Sequence, residues 1–105
     1  MPTTEEVFTE IDSRLKNDPA KIGSLNATYA FDLDGENYHI TLKDGAGEAG
    51  TGAPTDPNIT ITMKPEDFVD LATGKLDGTM AFMSGKLKIK GDMGLAMKLQ
   101  GLLRN

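Results

Sequence analysis

The chain has 105 residues, of which 38% are hydrophobic and 26% charged, and these values predict a single globular domain that spans residues 1–105. Its formal net charge of −5 argues against nucleic-acid binding, which depends on clustered Lys and Arg, and more weakly against docking on anionic membranes. The sequence has no cysteine, which excludes disulfides, thiolate metal sites and a cysteine nucleophile.

The two ends of the sequence bear on where the protein is found. The acidic first residues lack the basic and apolar regions of a secretory signal. The last residues, Leu102 to Asn105, do not match the Ser-Lys-Leu address of peroxisomes. No apolar run approaches the roughly 20 residues that span a bilayer. We therefore expect a cytoplasmic protein.

The first segment has the pattern of an amphipathic helix. Thr3 and Glu6 fit a capping box, in which each side chain bonds the backbone of the other residue. The sequence Asn17-Asp18-Pro19 ends this helix, because proline does not continue it. Apolar residues recur on one face at helical spacing, namely Val7, Phe8, Ile11 and Leu15. The other face is mostly acidic, which is the wrong sign for contact with anionic lipid.

Alternating apolar residues predict three strands in the middle of the chain. The first runs from Ala27 to Leu33 and the second from Tyr38 to Lys43, and Asp34-Gly35 between them is a strong signal for a hairpin turn. The third runs from Ile59 to Met63. The Gly45–Pro57 region is rich in Gly, Thr and Pro, so we interpret it as a loop or a short, weak edge strand.

The last part of the chain predicts three helices and one strand. Pro65 suits the first turn of a short helix, and Gly74 suits the position just past its end. Thr79 to Ser84 predict another short helix. The Lys86–Lys90 strand has three lysines on one face, which is typical of an exposed sheet edge. Asp92 is a good N-cap for the last helix, which has one stripe of leucines and a second of Met93, Ala96 and Met97.

Two short motifs have the letters of ligand-binding loops without the context that those loops need. Gly45 to Gly50 match G-x-G-x-x-G, but Thr51 to Pro54 cannot open the helix that faces a dinucleotide's pyrophosphate. Asp32 to Glu36 resemble the start of a calcium loop, but Tyr38 and Ile40 occupy the stretch that must supply further ligands. We therefore expect neither a cofactor nor a metal ion.

The sequence offers no recognisable set of catalytic residues. His39 is the single histidine, and alternation along its strand places it opposite Tyr38 and Ile40, on the solvated side. Ser84 does not stand in a nucleophile-elbow pattern. Because no nucleophile–base pair or metal set can be assembled, we expect a protein that is not an enzyme. The lysines of residues 86–90 could contact the phosphate of a headgroup or of coenzyme A, but a solvated sheet edge explains them better.

Methionines are concentrated near the end of the chain, at Met80, Met83, Met93 and Met97. Methionine is flexible and polarizable, and it suits surfaces that accept apolar ligands of varied shape. An irregular packed core uses methionine equally well, so both interpretations stay open. Each CH₂ group moved out of water gains about 0.8 kcal/mol, so an apolar pocket binds lipid without any catalytic group.

Three stretches of the sequence resemble the sterol carrier protein 2 family of small lipid-binding domains, namely Met63–Phe68, Phe82–Leu87 and Gly91–Leu99. The resemblance extends from the first helix to Leu103. It implies an α+β fold in which helices cover one face of a five-stranded, mostly antiparallel sheet, with an apolar tunnel between them. It also implies non-enzymatic binding or transfer of a fatty acid, a fatty acyl-coenzyme A, a sterol or a phospholipid.

By the same resemblance, residues of the last helices would line the tunnel, with sheet residues beneath them: Met80, Phe82, Met83, Met97 and Leu102, then Phe31 and Ile61. Gln100 would be a polar contact at the tunnel mouth. Membrane contact would be transient at most. A second function stays open, in which the apolar last helix binds a protein partner or a second copy, as an accessory module of a lipid or quinone pathway.

Overall fold

The computed structural model describes residues 2–103, except for the side chain of Lys21. Its elements, in chain order, are α1 (Thr4–Asn17), a 3₁₀ turn (Pro19–Lys21), β1 (Ala27–Leu33), β2 (Glu36–Lys43), β3 (Ala46–Thr51), β4 (Ile59–Met63), α2 (Pro65–Ala72), α3 (Gly78–Met83), β5 (Leu87–Gly91) and α4 (Met93–Leu103). Within residues 2–103, no helix has the length and apolar character needed to cross a membrane.

The five strands form one mixed sheet in the order β3-β2-β1-β4-β5. β1 and β4 are parallel, and the other neighbouring pairs are antiparallel. The predicted α+β fold with a mostly antiparallel five-stranded sheet is therefore confirmed. β3 and β5 lie at opposite edges, so the lysine-bearing strand is an edge strand, as predicted.

One face of the sheet is apolar and carries the helices. Tyr29 of β1 lies between Ile40 and Ile59 on the neighbouring strands, and all three side chains are buried. The buried side chains of α1, α2 and α4 join this face in a single hydrophobic core. The opposite face alternates with it and carries polar side chains such as Thr28 and Thr60.

The predicted boundaries of α1, α2 and α4 are confirmed, whereas α3 runs from Gly78 to Met83, one residue earlier at each end than the predicted Thr79–Ser84, because Asp77 caps its start. In the capping box of α1, the Thr3 backbone N–H donates to Glu6 Oε1 at 2.9 Å and the Glu6 N–H donates to Thr3 Oγ1 at 3.1 Å. Pro65 is the first residue of α2, and Gly74, just past its end, has φ = 83°. The Asp92 carboxylate accepts a hydrogen bond from the Gly94 N–H at 2.8 Å, which caps α4.

The Gly45–Pro57 region contains a real strand, so the edge-strand interpretation is correct and the loop interpretation is wrong for residues 46–51. The small residues of this strand let α1 pack close against it. A Cβ atom added at Gly47 would lie 2.9 Å from Ile22 Cδ1 and 3.2 Å from Leu15 Cβ. β3 is therefore held by its pairing with β2 and by contact with α1 rather than by its own β propensity.

Candidate functional site

A cavity of about 220 Å³ lies between α3, α4 and the β4–β5 edge of the sheet. Its lining is almost entirely apolar and consists of Ile61, Leu71, Gly78, Thr79, Phe82, Leu87, Ile89, Met93, Ala96, Met97, Leu99 and Gln100. Because Phe82, Met93 and Met97 are also exposed to solvent, the cavity opens to the outside between the two helices.

Buried side chains from three elements form the inner wall of the cavity. Ile61 comes from β4, Leu71 from α2 and Leu99 from α4, and each is at most 3% exposed. These positions follow from the pattern of each element, because alternation directs Ile61 inward and helical spacing places Leu99 on the buried stripe of α4. The inner wall is thus part of the hydrophobic core.

Small residues leave the space that the cavity occupies. Gly78 of α3 and Ala96 of α4 both line it, and neither has a side chain that could fill it. The Gln100 side chain lies against Gly78, where an added Cβ atom would be 3.3 Å from Gln100 Oε1. Thr79 and Gln100 therefore supply the polar side-chain groups of an otherwise apolar lining, an arrangement common in small-molecule pockets.

Five large apolar side chains are exposed on α3 and α4. The exposed fractions are 65% for Met80, 45% for Phe82, 79% for Met83, 49% for Met93 and 84% for Met97. We call these five residues the apolar rim. Among residues 2–103, these are the large hydrophobic side chains that are exposed to solvent. Three of them, Phe82, Met93 and Met97, line the cavity. Apolar exposure concentrated in this way marks a site of interaction.

Tyr29 ties the first turns of α4 to the sheet. Its hydroxyl donates a hydrogen bond to the Leu95 carbonyl oxygen at 2.7 Å, and the side chain is fully buried. Burial, and after it the negative charge of Asp92, raises the pKa of Tyr29 to about 12. The hydroxyl therefore stays protonated at neutral pH and keeps donating to α4.

The structure brings together four of the eight residues predicted for the tunnel: Ile61, Phe82, Met97 and Gln100 all line the cavity. The other four lie elsewhere. The Phe31 ring packs edge-on against Phe8 and Phe68, with centroids 5.3 and 5.4 Å apart. Leu102 is buried in the core, and Met80 and Met83 extend into solvent on the rim. Ligand contact by all eight residues stays a prediction.

Several lining residues could not be predicted from the sequence, for identifiable reasons. Leu71 and Ile89 have patterns that mark them as inward-facing, but the same patterns describe ordinary core residues. Gly78 and Thr79 lie at the start of α3, and nothing local shows that α4 will pass beside them. Met93 and Ala96 belong to the second stripe of α4, which was a usable signal for the site.

The polar candidates lie away from this cavity. His39 Nε2 is 3.4 Å from Glu48 Oε1, and these two residues occupy the sheet face that is turned away from the helices. Asp32 accepts a hydrogen bond from the Gly35 N–H at 2.9 Å, as a hairpin turn requires. Among residues 2–103, no group of three or more His, Cys, Asp or Glu is placed to hold a metal ion.

Comparisons with known proteins agree with this architecture. The family model for the SCP-2 sterol transfer family matches residues 8–104. The sterol carrier protein domain 2 of Helicoverpa armigera is 35% identical, with a TM-score of 0.75 over 91% of this chain and 81% of that one. The apo form of sterol carrier protein 2 from Yarrowia lipolytica is 30% identical, with a TM-score of 0.71 over 95% of this chain and 83% of that one.

A longer protein is also similar to the chain. Hydroxysteroid dehydrogenase-like protein 2 of Xenopus tropicalis is 45% identical over 103 residues, which cover 94% of this chain and 24% of that protein. The chain thus spans about a quarter of the length of this protein and of its counterparts in Pongo abelii and Bos taurus.

Proposed function

The chain belongs to the SCP-2 sterol transfer family, and from that premise we propose that it binds the hydrocarbon chain of a lipid in the cavity between α3 and α4. The ligand class that we favour is a fatty acyl chain, as the free acid or its coenzyme A thioester. Sterol and phospholipid are further candidates of the same apolar character. Lipid binding would be reversible and would involve no covalent change.

The apolar lining of an open cavity is the observation that supports this proposal most directly. Ten of its twelve residues present hydrocarbon, thioether or aromatic groups or the bare backbone of glycine. Each CH₂ group of a ligand that enters gains about 0.8 kcal/mol by leaving water. A short acyl segment therefore suffices for useful affinity.

The polar lining residues support a binding role over a catalytic one. Neither Thr79 nor Gln100 has a side chain that titrates near neutral pH, so neither supplies a general base by itself. Gln100 can both donate and accept hydrogen bonds, which suits a carboxylic acid or thioester oxygen at the end of a chain.

The size of the cavity implies that it widens when a lipid enters. Pockets for drug-sized ligands have volumes of about 300–1,000 Å³, which is above the 220 Å³ found here. Met93 and Met97 are unbranched and exposed, so their side chains can change rotamer at little cost. We infer that movement of these side chains, and of α3 against α4, makes room for the ligand.

A cavity-filling substitution tests this assignment. In Ala96→Phe, the aromatic ring would occupy the space between α3 and α4, and we expect at least tenfold weaker uptake of a fluorescent fatty acid. Ala96→Leu should have an intermediate effect. Gly101→Ala is the matched control on the same helix, because Gly101 is outside the lining and an added Cβ atom there meets nothing within 4 Å. A folded Ala96→Phe protein with unchanged affinity would show that the cavity is not the site.

The apolar rim also favours the alternative from the sequence, an interaction module that binds a protein through α4. That function predicts a mass in solution that rises with protein concentration, and a purified protein free of lipid. The cytoplasmic location expected from the sequence stays a prediction.

A further inference from the structure

The two edges of the sheet differ in how their backbone is covered. At one edge, α1 packs along β3, and the Ala49 N–H of β3 donates a hydrogen bond to Asp12 Oδ1 of α1 at 2.9 Å. Lys16 holds the Asp12 carboxylate in place, with 2.8 Å between Lys16 Nζ and Asp12 Oδ2. The helix therefore occupies a backbone donor that could otherwise pair with another strand.

β5, at the other edge, lacks such a cover. Its strand neighbour is β4, and among residues 2–103 no hydrogen bond outside that pairing reaches the backbone of residues 87–91. In an antiparallel pair, alternate residues direct their N–H and C=O groups away from the partner strand. The outer side of β5 is therefore a row of open donors and acceptors, which is the template that an added strand needs.

The two faces of β5 differ in chemistry. Lys88 is paired with Thr62 of β4, so its side chain lies on the face turned away from α3 and α4. Lys90 lies on the same face, and both lysines are exposed. Ile89 lies between them on the helix face, where it lines the cavity and is partly exposed. A strand beside β5 would thus meet two lysines on one face and an apolar side chain on the other.

We propose that the open edge of β5 binds an extended peptide segment of a partner protein in which apolar and acidic residues alternate. The peptide backbone would pair with β5 as a sixth strand. Its apolar side chains would lie beside Ile89, and its acidic side chains beside Lys88 and Lys90. The proposal goes beyond lipid binding, because backbone pairing at this edge requires no lipid in the cavity.

Charge decides between an acidic partner and a second copy of this chain. Two β5 edges paired with each other would place their lysines on one face, where like charges directly opposite are destabilising. An acidic side chain at the same position forms an opposite-charge pair instead. Within the described residues, neither Lys88 nor Lys90 forms an ion pair that would compete. The lysines thus oppose self-pairing and select an acidic strand.

The acidic residues near β5 make Lys90 the stronger of the two charges. A groove bordered by Lys88 is also lined by three acidic residues, Asp34, Glu66 and Asp67. Their carboxylates offset part of the attraction of Lys88 for an acidic peptide. Lys90 does not border this groove. Asp92, two residues further on, accepts a hydrogen bond from the first turn of α4. We therefore expect the acidic preference to be strongest beside Lys90.

Titration of the whole chain with synthetic peptides tests the proposal. The probe is a peptide of about eight residues, the length of an ordinary strand, in which valine and glutamate alternate. Its control has lysine in place of every glutamate. We expect the glutamate peptide to bind at least tenfold more tightly than the lysine peptide. In amide NMR, it should shift the signals of β5 and slow their hydrogen exchange, and leave those of β3 unchanged.

N-methylated peptides test whether the backbone pairs. Methylation of every second amide removes the donors along one edge of an extended peptide and keeps all its side chains. Two such peptides are compared, one methylated at the valines and one at the glutamates. We expect one of the two to lose binding, because one edge of the peptide faces β5.

Charge variants of the protein test the selection of acidic residues. Lys88→Gln combined with Lys90→Gln should weaken binding of the glutamate peptide roughly tenfold, or about threefold for each cross-strand pair lost. Lys43→Gln is the matched control, because Lys43 is exposed at the end of β2, away from β5. This variant also removes one positive charge and should change binding by less than twofold.

Four results would overturn the proposal. The first is a glutamate peptide that does not bind at low salt. The second is equal binding of both methylated peptides and the unmodified one, which would exclude backbone pairing. The third is NMR shifts confined to β3 or to α3 and α4. The fourth is an equal loss of binding in Lys43→Gln and in the Lys88/Lys90 variant. Uptake of a fluorescent fatty acid is measured separately and bears on the proposed function alone.

Discussion

Tyr29 shows how a single residue connects the core to the candidate site. Alternation along β1 directs its ring inward, and the hydroxyl at the end of the ring reaches the Leu95 carbonyl of α4. A buried hydrogen bond of this kind contributes about 1 kcal/mol to stability. The same burial keeps the phenol from ionising until high pH. Tyr29 is thus a positioning residue for one wall of the cavity.

Stability at alkaline pH should report on Tyr29. Its pKa in the folded protein is about 12, against 10 in the unfolded chain, so its contribution is complete below pH 10 and is lost as the pH rises toward 12. The free energy of unfolding should fall by about 1.4 kcal/mol per pH unit in this window because of Tyr29 alone.

Tyr29→Phe removes this titration and provides the comparison. We expect it to cost about 1 kcal/mol at neutral pH and to show a shallower fall in stability above about pH 10 than wild type, measured by urea unfolding. Tyr38 is present in both proteins, so its contribution to the pH dependence of stability cancels in the comparison. Parallel pH profiles for the two proteins would show that Tyr29 ionises normally.

At the residue scale, the sequence predicted which side chains face inward but not which of them meet the cavity. Phe31 and Ile61 lie side by side on β1 and β4, and both are buried. Phe31 faces the aromatic cluster with Phe8 and Phe68, whereas Ile61 faces the cavity. The difference arises from the order of the strands and the path of the helices, which alternation does not encode.

At the scale of elements, β3 illustrates how tertiary packing determines a strand. Four of the six residues of Ala46–Thr51 are alanine or glycine, and this composition alone favours a loop. In the fold, Gly47 has no side chain, so Leu15 and Ile22 can lie close to the backbone of β3. Strand pairing with β2 then supplies the hydrogen bonds.

A pair of glycine substitutions in β3 tests this explanation. Gly47→Ala should destabilise the protein by about 1–3 kcal/mol, because its Cβ atom would lie 2.9 Å from Ile22 Cδ1 and 3.0 Å from Leu42 Cδ2. Gly50→Ala makes the same change on the other face, where the nearest atom is His39 Cε1 at 3.6 Å, and should be neutral or slightly stabilising. Thermal unfolding of both variants decides the matter. Equal effects would mean that α1 does not restrict this strand.

Across the whole molecule, the two halves of the core differ in how completely side chains fill them. Near α1 and α2 the aromatic rings pack densely, with Phe8 stacked between Tyr38 at 4.3 Å and Phe68 at 4.8 Å. Near α3 and α4 the core opens into the cavity. We interpret the first half as the source of stability and the second as the part that adapts to a ligand.

Lipid loading should therefore stabilise the molecule unevenly. At a free lipid concentration of about 100 times Kd, the free energy of unfolding should rise by about 2.7 kcal/mol. Hydrogen exchange should slow most in α3 and α4 and least in α1. Uniform protection along the chain would argue against a local site, and protection concentrated in α1 would place the ligand elsewhere.

The fold as a whole was predictable because local patterns and the family resemblance agreed. The capping box at Thr3, the Asp34-Gly35 turn and Pro65 at the start of α2 each fixed an element boundary. The cavity was predictable only in outline, since it depends on how far α4 stands from α3. Gly78 and Ala96 line that space from the two helices, and no single segment of the sequence reveals that they will do so.

Lipid binding in the cavity between α3 and α4 is tested most directly by native mass spectrometry of the protein purified without detergent. Lipid extraction from the denatured sample then identifies what was bound. The proposed binding predicts one lipid with a hydrocarbon chain per protein molecule, and loss of that lipid in Ala96→Phe but not in Gly101→Ala. A lipid-free protein that also fails to take up an added fluorescent fatty acid would contradict it.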